Sequence, residues 1–326
     1  MSDPCLLIGD IGGTNARFAL AHKDRAGFSE ELILACGDYE TAEQGIAAYL
    51  ERGGHRTPDV ICLAAAGPII DGTVRFTNNH WFLDRQQLQH EYPLSRIRFL
   101  NDFEAIAYSI PMLKENDATT IGVVPPEVDG TADFTLGVLG PGTGLGVGGL
   151  LGRSTGIYPV VGEGSHVGFA PETRMQLRVL EQLRKKHERV SDERLISGSG
   201  LEGIYWALSK IHGKQDNDIA AAEIFSRVLA KEDVIAAEAT QMFFEVLGQI
   251  AGNLVMTLGA FDGIYLAGGI LKRYPDLLKS SNFRSGFENK GRHRSLMEKV
   301  PTSLILHPQP GLLGASYCAR ELHGKA

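Results

Sequence analysis

Apolar and polar positions along this chain fall into blocks that predict short buried strands broken by glycine turns, and then longer helices. Leu6–Gly9 is an apolar run. It is followed by Asp10-Ile11-Gly12-Gly13-Thr14-Asn15 and then by Ala16–Ala21, which reads as strand, glycine turn, strand. Tyr39–Glu51 places Ala42, Ile46, Tyr49 and Leu50 at helical spacing and ends at Gly53-Gly54. Val60–Ala66 predicts a buried strand closed by Gly67-Pro68. In Arg96–Leu100 the arginines alternate with Ile97 and Phe99, and that strand runs through Asn101-Asp102 into a predicted helix over Phe103–Ser109.

After a polar loop, PPEVDGTAD at 125–133, the pattern restarts. Phe134–Leu139 reads as a strand, Gly140–Gly144 as a turn and Leu145–Leu151 as a strand. LLIGDIGGTNARFAL and FTLGVLGPGTGLGVGG therefore share a plan, which is either chance or the trace of a duplicated fold. Helical patterning covers Glu172–Lys186, Gly200–Ile211, Ile219–Leu229 and Val234–Leu258. Gly263–Ala267 is a strand ending in Gly268-Gly269, Ser303–Leu306 a last strand, and Leu312–Leu322 a closing helix. Lys279–Ser295, with five basic residues against Glu288, reads as a solvated loop. Strands interleaved with helices give an α/β class.

Composition narrows this further. A length of 326 residues suggests two domains. Charged residues are 22% and hydrophobic residues 43%, the composition of a globular chain. Lys+Arg is 32 against 39 Asp+Glu, and a net charge of −7 argues against nucleic acid as a partner. Cys5, Cys36, Cys62 and Cys318 stand far apart and form no CxxC, which fits a reducing, cytoplasmic setting. No signal peptide is expected at the N-terminus. Phe134–Gly152 is uncharged and long enough to span a membrane, but its eight glycines and Pro141 favour a hairpin. Gln241–Phe261 carries Glu245, Gln249 and Asn253 on one face and reads as a buried amphipathic helix, so no membrane is expected. Glycine is the unusual count, at 39, about 12% against a typical ~7%.

Those glycines sit where chemistry is plausible. Gly12-Gly13-Thr14 after a buried strand can turn consecutive N–H groups onto one anion, or can simply make a hairpin turn. Asp10 beside a phosphate makes sense only with a divalent cation between them. Gly142-Thr143-Gly144 offers the same backbone, and two such loops suit one nucleotide. The first of these loops matches neither a P-loop nor a dinucleotide fingerprint. Asp102 reads either as the N-cap of the following helix or as a general base for an alcohol. Glu163 and His166 read as a structural pair or as partners for sugar hydroxyls. Glu193 by itself reads as a surface glutamate. Gly198-Ser199-Gly200 and Gly268-Gly269 read as turns or as adenosine contacts, and Asn78-Asn79-His80-Trp81 carries no assigned role.

In order along the chain, GDIGGTN, FLNDFEA, LGPGTGLG, GEGSHVGFAP, ERLISGSGLEGIY, LAGGI and PGLLGAS together resemble the bacterial glucokinases, of the actin/hexokinase/Hsp70-type ATPase fold. The similarity runs from about Leu6 to Ser316, and His166 is followed by VGFAP with no cysteine, as in the zinc-free branch. The resemblance implies two ribonuclease-H-like α/β domains around a cleft that closes on its substrates, with boundaries at 1–112 plus 307–326 and 113–306. It implies ATP-dependent phosphorylation of D-glucose with Mg²⁺ by a homodimer. Asp102 matches the family's catalytic aspartate. Asn101, Asp102, Glu163, His166 and Glu193 match the sugar ligands. Gly9, Asp10, Ile11, Gly12, Gly13, Thr14, Gly142, Thr143, Gly144, Gly198, Gly268 and Gly269 match the ATP site, with Asp10 toward Mg²⁺, directly or through water. The competing expectations are a kinase for another hexose, a sugar-sensing transcription factor and an actin-like filament-forming ATPase. A transcription factor would need a DNA-binding module ahead of the strand at Leu6.

Overall fold

The computed structural model describes residues 3–76, 79–124, 133–214 and 218–324. Asn78 and most of the polar loop at 125–133 lie outside the described residues. The chain divides into two compact units. One is Met1–Asn116 with Pro159–Val161 and His307–Ala326, and the other is Asp117–Tyr158 with Gly162–Leu306.

In the first unit β1 (Leu6–Ile11) and β2 (Asn15–Ala21) form the hairpin that the apolar runs predict, and β3 (Phe28–Ala35) extends it antiparallel. Helix α1 (Ala42–Gly53) starts at the Thr41 cap, which accepts from Gln44 N–H, and stops at Gly54 in the left-handed region. Strand β4 (Val60–Ala65) is buried at all six residues because it lies between β1 and a further parallel strand. A small ribbon of β5 (Ile69–Ile70), β6 (Thr73–Arg75) and β7 (Phe82–Asp84) leads to α2 (Arg85–Glu91), then β8 (Arg96–Asn101) and α3 (Asp102–Ser109). The sheet order is β3-β2-β1-β4-β8. Leu7, Ile11, Phe18, Ile46, Leu63 and Trp81 form its core on the α1 side.

The second unit repeats this order. Its sheet runs β12-β11-β10-β13-β14-β9, from β9 (Ala118–Thr120), β10 (Phe134–Pro141), β11 (Leu145–Arg153), β12 (Gly156–Val161, of which the last three residues count with the first unit), β13 (Gly263–Leu266) and β14 (Thr302–Ile305). In both sheets an antiparallel hairpin leads, and two parallel strands follow on the side of its first strand. The shared plan of the two glycine-Thr segments is thus the trace of a ribonuclease-H-like sheet built twice. The glycine-rich run 134–152 is a hairpin. Among the described residues no helix is long and apolar enough to cross a membrane.

Helices α4 (Arg174–Leu183), α5 (Gly198–Ile211), α6 (Ala221–Ala230) and α7 (Val234–Leu258) follow the predicted pattern. The segment after α8 (Gly269–Arg273) corrects it. Lys279–Ser295 is not a solvated loop: Lys279 ends α9 (Pro275–Lys279), and α10 (Phe283–Glu288) follows, then α11 (Arg294–Met297). Phe283 and Phe287, one helical turn apart, are fully buried, and Arg284 pairs with Glu288 at 2.7 Å. The chain ends in α12 (Pro310–Gly324), which packs on α3 and β1 in the first unit.

Candidate functional site: two glycine hairpins and their acids

In the first unit Asp10 stands near the end of β1, opposite Arg17 of β2. Burial pushes its carboxyl above the usual carboxylate range, and the Arg17 charge offsets part of that shift. Arg17 Nε is itself buried without a hydrogen-bond partner. Gly311 in the first turn of α12 leaves this corner open, since a Cβ there would stand 2.9 Å from Asp10 Oδ2. Among the described residues no three His, Cys, Asp or Glu side chains gather to hold a metal. A lone, half-buried carboxylate fits Mg²⁺ held otherwise by water and phosphate oxygens, and does not fit an all-protein cage.

The turn between β1 and β2 is braced from within. Gly12 N–H donates to Asn15 O at 3.0 Å, Cys36 N–H donates to Thr14 O at 2.8 Å, and Asn79 Nδ2 donates to Gly12 O at 2.9 Å. The Gly12 N–H is therefore spent inside the turn, and only Gly13 and Thr14 stand at its exposed tip. Gly9 and Ile11 lie in the sheet: the space over Gly9 is filled by Leu63 and Phe18, and Ile11 belongs to the core.

Asn101 and Asp102 sit where β8 becomes α3. Asn101, not Asp102, is the N-cap: its Oδ1 accepts from Phe103 N–H at 2.9 Å, and Glu104 accepts from Asn101 N–H at 3.2 Å. Asp102 is the first helical residue, half-buried, with Oδ1 also 2.9 Å from Phe103 N. Reading Asp102 as the cap is thus corrected by one position.

In the second unit the β10–β11 hairpin is tied to the start of α5. Gly142 N–H donates to Gly144 O at 2.7 Å inside the turn, and Gly198 N–H donates to Gly142 O at 3.0 Å. Leu145 N–H donates to Glu193 Oε2 at 3.0 Å, and a Cβ on Gly144 would fall onto that same oxygen. Glu193 is therefore not a free surface glutamate. Glu163 and His166 lie on one short turn with Oε2 and Nε2 3.8 Å apart, and both are exposed. That turn is stitched to the Glu193 segment by Asp192 N–H donating to Val167 O at 3.1 Å. Gly268 takes φ +99° and lies against Pro141, a close approach that only glycine permits. Gly269 opens α8 with free space around it.

Three residues escaped the sequence reading. Arg17 was signalled only by a charge on an apolar strand just after GGTN. Asn79 lay in a run with no assigned role. Asp192 was hidden beside the more prominent Glu193.

Two sheets of one strand order, each led by a glycine-Thr hairpin, define the actin-like ATPase fold, and the relatives that share it here are sugar kinases. A glucokinase crystal structure from an Antarctic psychrotroph has the same fold, with TM-score 0.88, 31% identity, and 97% of this chain and 98% of that one covered. Glucokinase from Balamuthia mandrillaris in complex with glucose matches with TM-score 0.73 and 26% identity, over 96% of this chain and 93% of that one. The glucokinase of Marinobacter nauticus is 40% identical over 311 residues, 95% of each chain. The family model described as Glucokinase matches residues 7–322, and the chain belongs to the glucokinase family.

Proposed function

We propose that this chain transfers the terminal phosphoryl group of ATP to the 6-hydroxyl of D-glucose, giving glucose 6-phosphate and ADP as the entry step of glycolysis, in the cytoplasm and as a homodimer. The observation that carries this reading is the junction in the second unit. A candidate phosphate loop, 142–145, and a candidate sugar acid, Glu193, share a hydrogen bond, and the Glu163–His166 turn is stitched to the same segment.

Asp102 is assigned the proton of the attacking hydroxyl, which leaves that oxygen free to form the new bond to phosphorus. Asn101, Glu163, His166 and Glu193 are assigned the remaining hydroxyls. Glu193 already accepts from Leu145 N–H, which fixes its carboxylate before sugar arrives. The turns at Gly13-Thr14 and Thr143-Gly144 are assigned the phosphates, and Gly198, Gly268 and Gly269 the adenosine. Asp10 would hold Mg²⁺, directly or through water, and the ion supplies positive charge against the phosphate oxygens. The test is Asp102→Asn. A folded variant should lose at least ~10²-fold in kcat and keep its glucose affinity within about tenfold. Retention of most of kcat would remove Asp102 as the base.

A further inference from the structure

Behind the sugar-site turns, within the second unit, lies a cavity of about 180 Å³. Its wall includes Val147 of β11, Gly164 and Val167 of the His166 turn, Asp192, and Gln249 and Asn253 of α7. Two of these groups are out of place in a mostly apolar wall. Gln249 is 3% exposed and its Oε1 has no hydrogen-bond partner. Asp192 is 6% exposed, and burial is what acts on its carboxyl. A buried acceptor without a donor costs roughly 1–3 kcal/mol, so the Gln249 oxygen calls for an explanation, and Asp192 is the carboxyl that shares its cavity wall.

Asp192 also occupies a mechanical junction. Its N–H donates to Val167 O, next to His166, and its carbonyl accepts from Leu195 N–H and Ile196 N–H, closing the turn that carries Glu193. A shift of Asp192 therefore moves both turns. An ionised carboxylate can only accept, as the Gln249 carboxamide oxygen does. A neutral carboxyl has the proton that Gln249 Oε1 lacks.

We propose that the neutral Asp192 carboxyl donates a hydrogen bond across the cavity to Gln249 Oε1, directly or through one water, and so pins the sugar-binding turns to α7. Asp192 is on this account a positioning residue, and the inference rests on the assignment of Glu163, His166 and Glu193 to the sugar. Burial pushes the Asp192 carboxyl up to about 7. The charged groups on the packed elements are Glu163 and His166 on the neighbouring turn, Glu193 and Arg194 beside it, Glu202 on α5 and Glu245 on α7, and burial is the sole cause of the shift. The sign follows: the pin is present below about pH 7 and is lost as pH rises through that value.

The experiment is the KM for glucose from pH 6 to 8.5, with kcat, the KM for ATP and the thermal midpoint measured alongside. Wild type should show a rise of roughly three- to tenfold in the glucose KM across this range, with the ATP KM flat. Asp192→Asn keeps a donor at every pH, and its glucose KM should stay at the low-pH wild-type value. Gln249→Met removes the acceptor and should hold the glucose KM at the high-pH value throughout, so the inference does not hang on one variant folding. A flat wild-type profile overturns it. So does a rise that persists in Asp192→Asn, which would belong to another group. Glu193→Gln separates the two layers. If it leaves the glucose KM unchanged, the sugar assignment fails and takes this inference with it. If it raises the glucose KM while Asp192→Asn behaves as wild type, only this inference fails.

Discussion

Asp102 and Asp10 are both aspartates at the carboxyl end of a strand, yet their surroundings set them different tasks. Asp102 follows the cap, so its contribution to the helix is that of an anion in the first turn, about 0.3–1 kcal/mol. Asp102→Asn should therefore melt close to wild type, which makes the loss of kcat interpretable. Asp10 is held above the usual carboxylate range by burial, with one guanidinium in partial compensation. A neutral isostere removes the charge that burial penalises. Asp10→Asn should melt at or above the wild-type temperature without ligands and lose the added stability that Mg²⁺ and ATP confer. A variant that melts well below wild type, or that keeps the full ligand-induced shift, would contradict this reading of Asp10. The position of each acid, where an apolar run ends, was legible in the sequence. The cap was not, because Asn101 and Asp102 are equally good capping residues and only the backbone decides between them.

At the scale of elements, glycines mark where backbones meet, and their reasons differ. A Cβ on Gly248 of α7 would fall onto Phe283 O of α10, and one on Gly286 of α10 would fall onto Glu245 O of α7. The two helices cross there with nothing between them. Gly248→Ala should push them apart and lower stability by about 1–3 kcal/mol, read as a fall in the thermal midpoint. Gly142 is the opposite case. Its φ is ordinary, and a Cβ added there would meet nothing within 4 Å. Gly142→Ala should fold and melt as wild type while raising the KM for ATP and sparing that for glucose. An unchanged ATP KM would remove the 142–144 turn from the nucleotide site. The inner strands and long helices were legible because apolar spacing specifies them, whereas the edge strands β3, β9 and β12 were not, since few of their residues are buried. Helix α10 was not, since five basic residues over Lys279–Ser295 obscured Phe283 and Phe287, the pair that buries it. The β5–β7 ribbon was missed because strands of two or three residues are too short to show a period.

At the scale of the whole molecule, one sheet plan occurs twice, and each copy puts a glycine-Thr hairpin after its first strand. The duplication was visible as a weak likeness between two 15- to 16-residue stretches, and strand order turned it into a shared architecture. The bracing inside each hairpin was not visible, because the partners come from distant points: Asn79 and Cys36 for one, Glu193 and Gly198 for the other. The central claim is that these parts phosphorylate glucose. Formation of glucose 6-phosphate from glucose, ATP and Mg²⁺ tests it most directly, run beside mannose, galactose, fructose and N-acetylmannosamine. Each buried polar partner that a wrong sugar leaves unpaired costs roughly 1–3 kcal/mol. The kcat/KM for glucose should stand about tenfold or more above that for any other sugar in the panel. Equal efficiencies across the panel, or no glucose 6-phosphate at all, would contradict it.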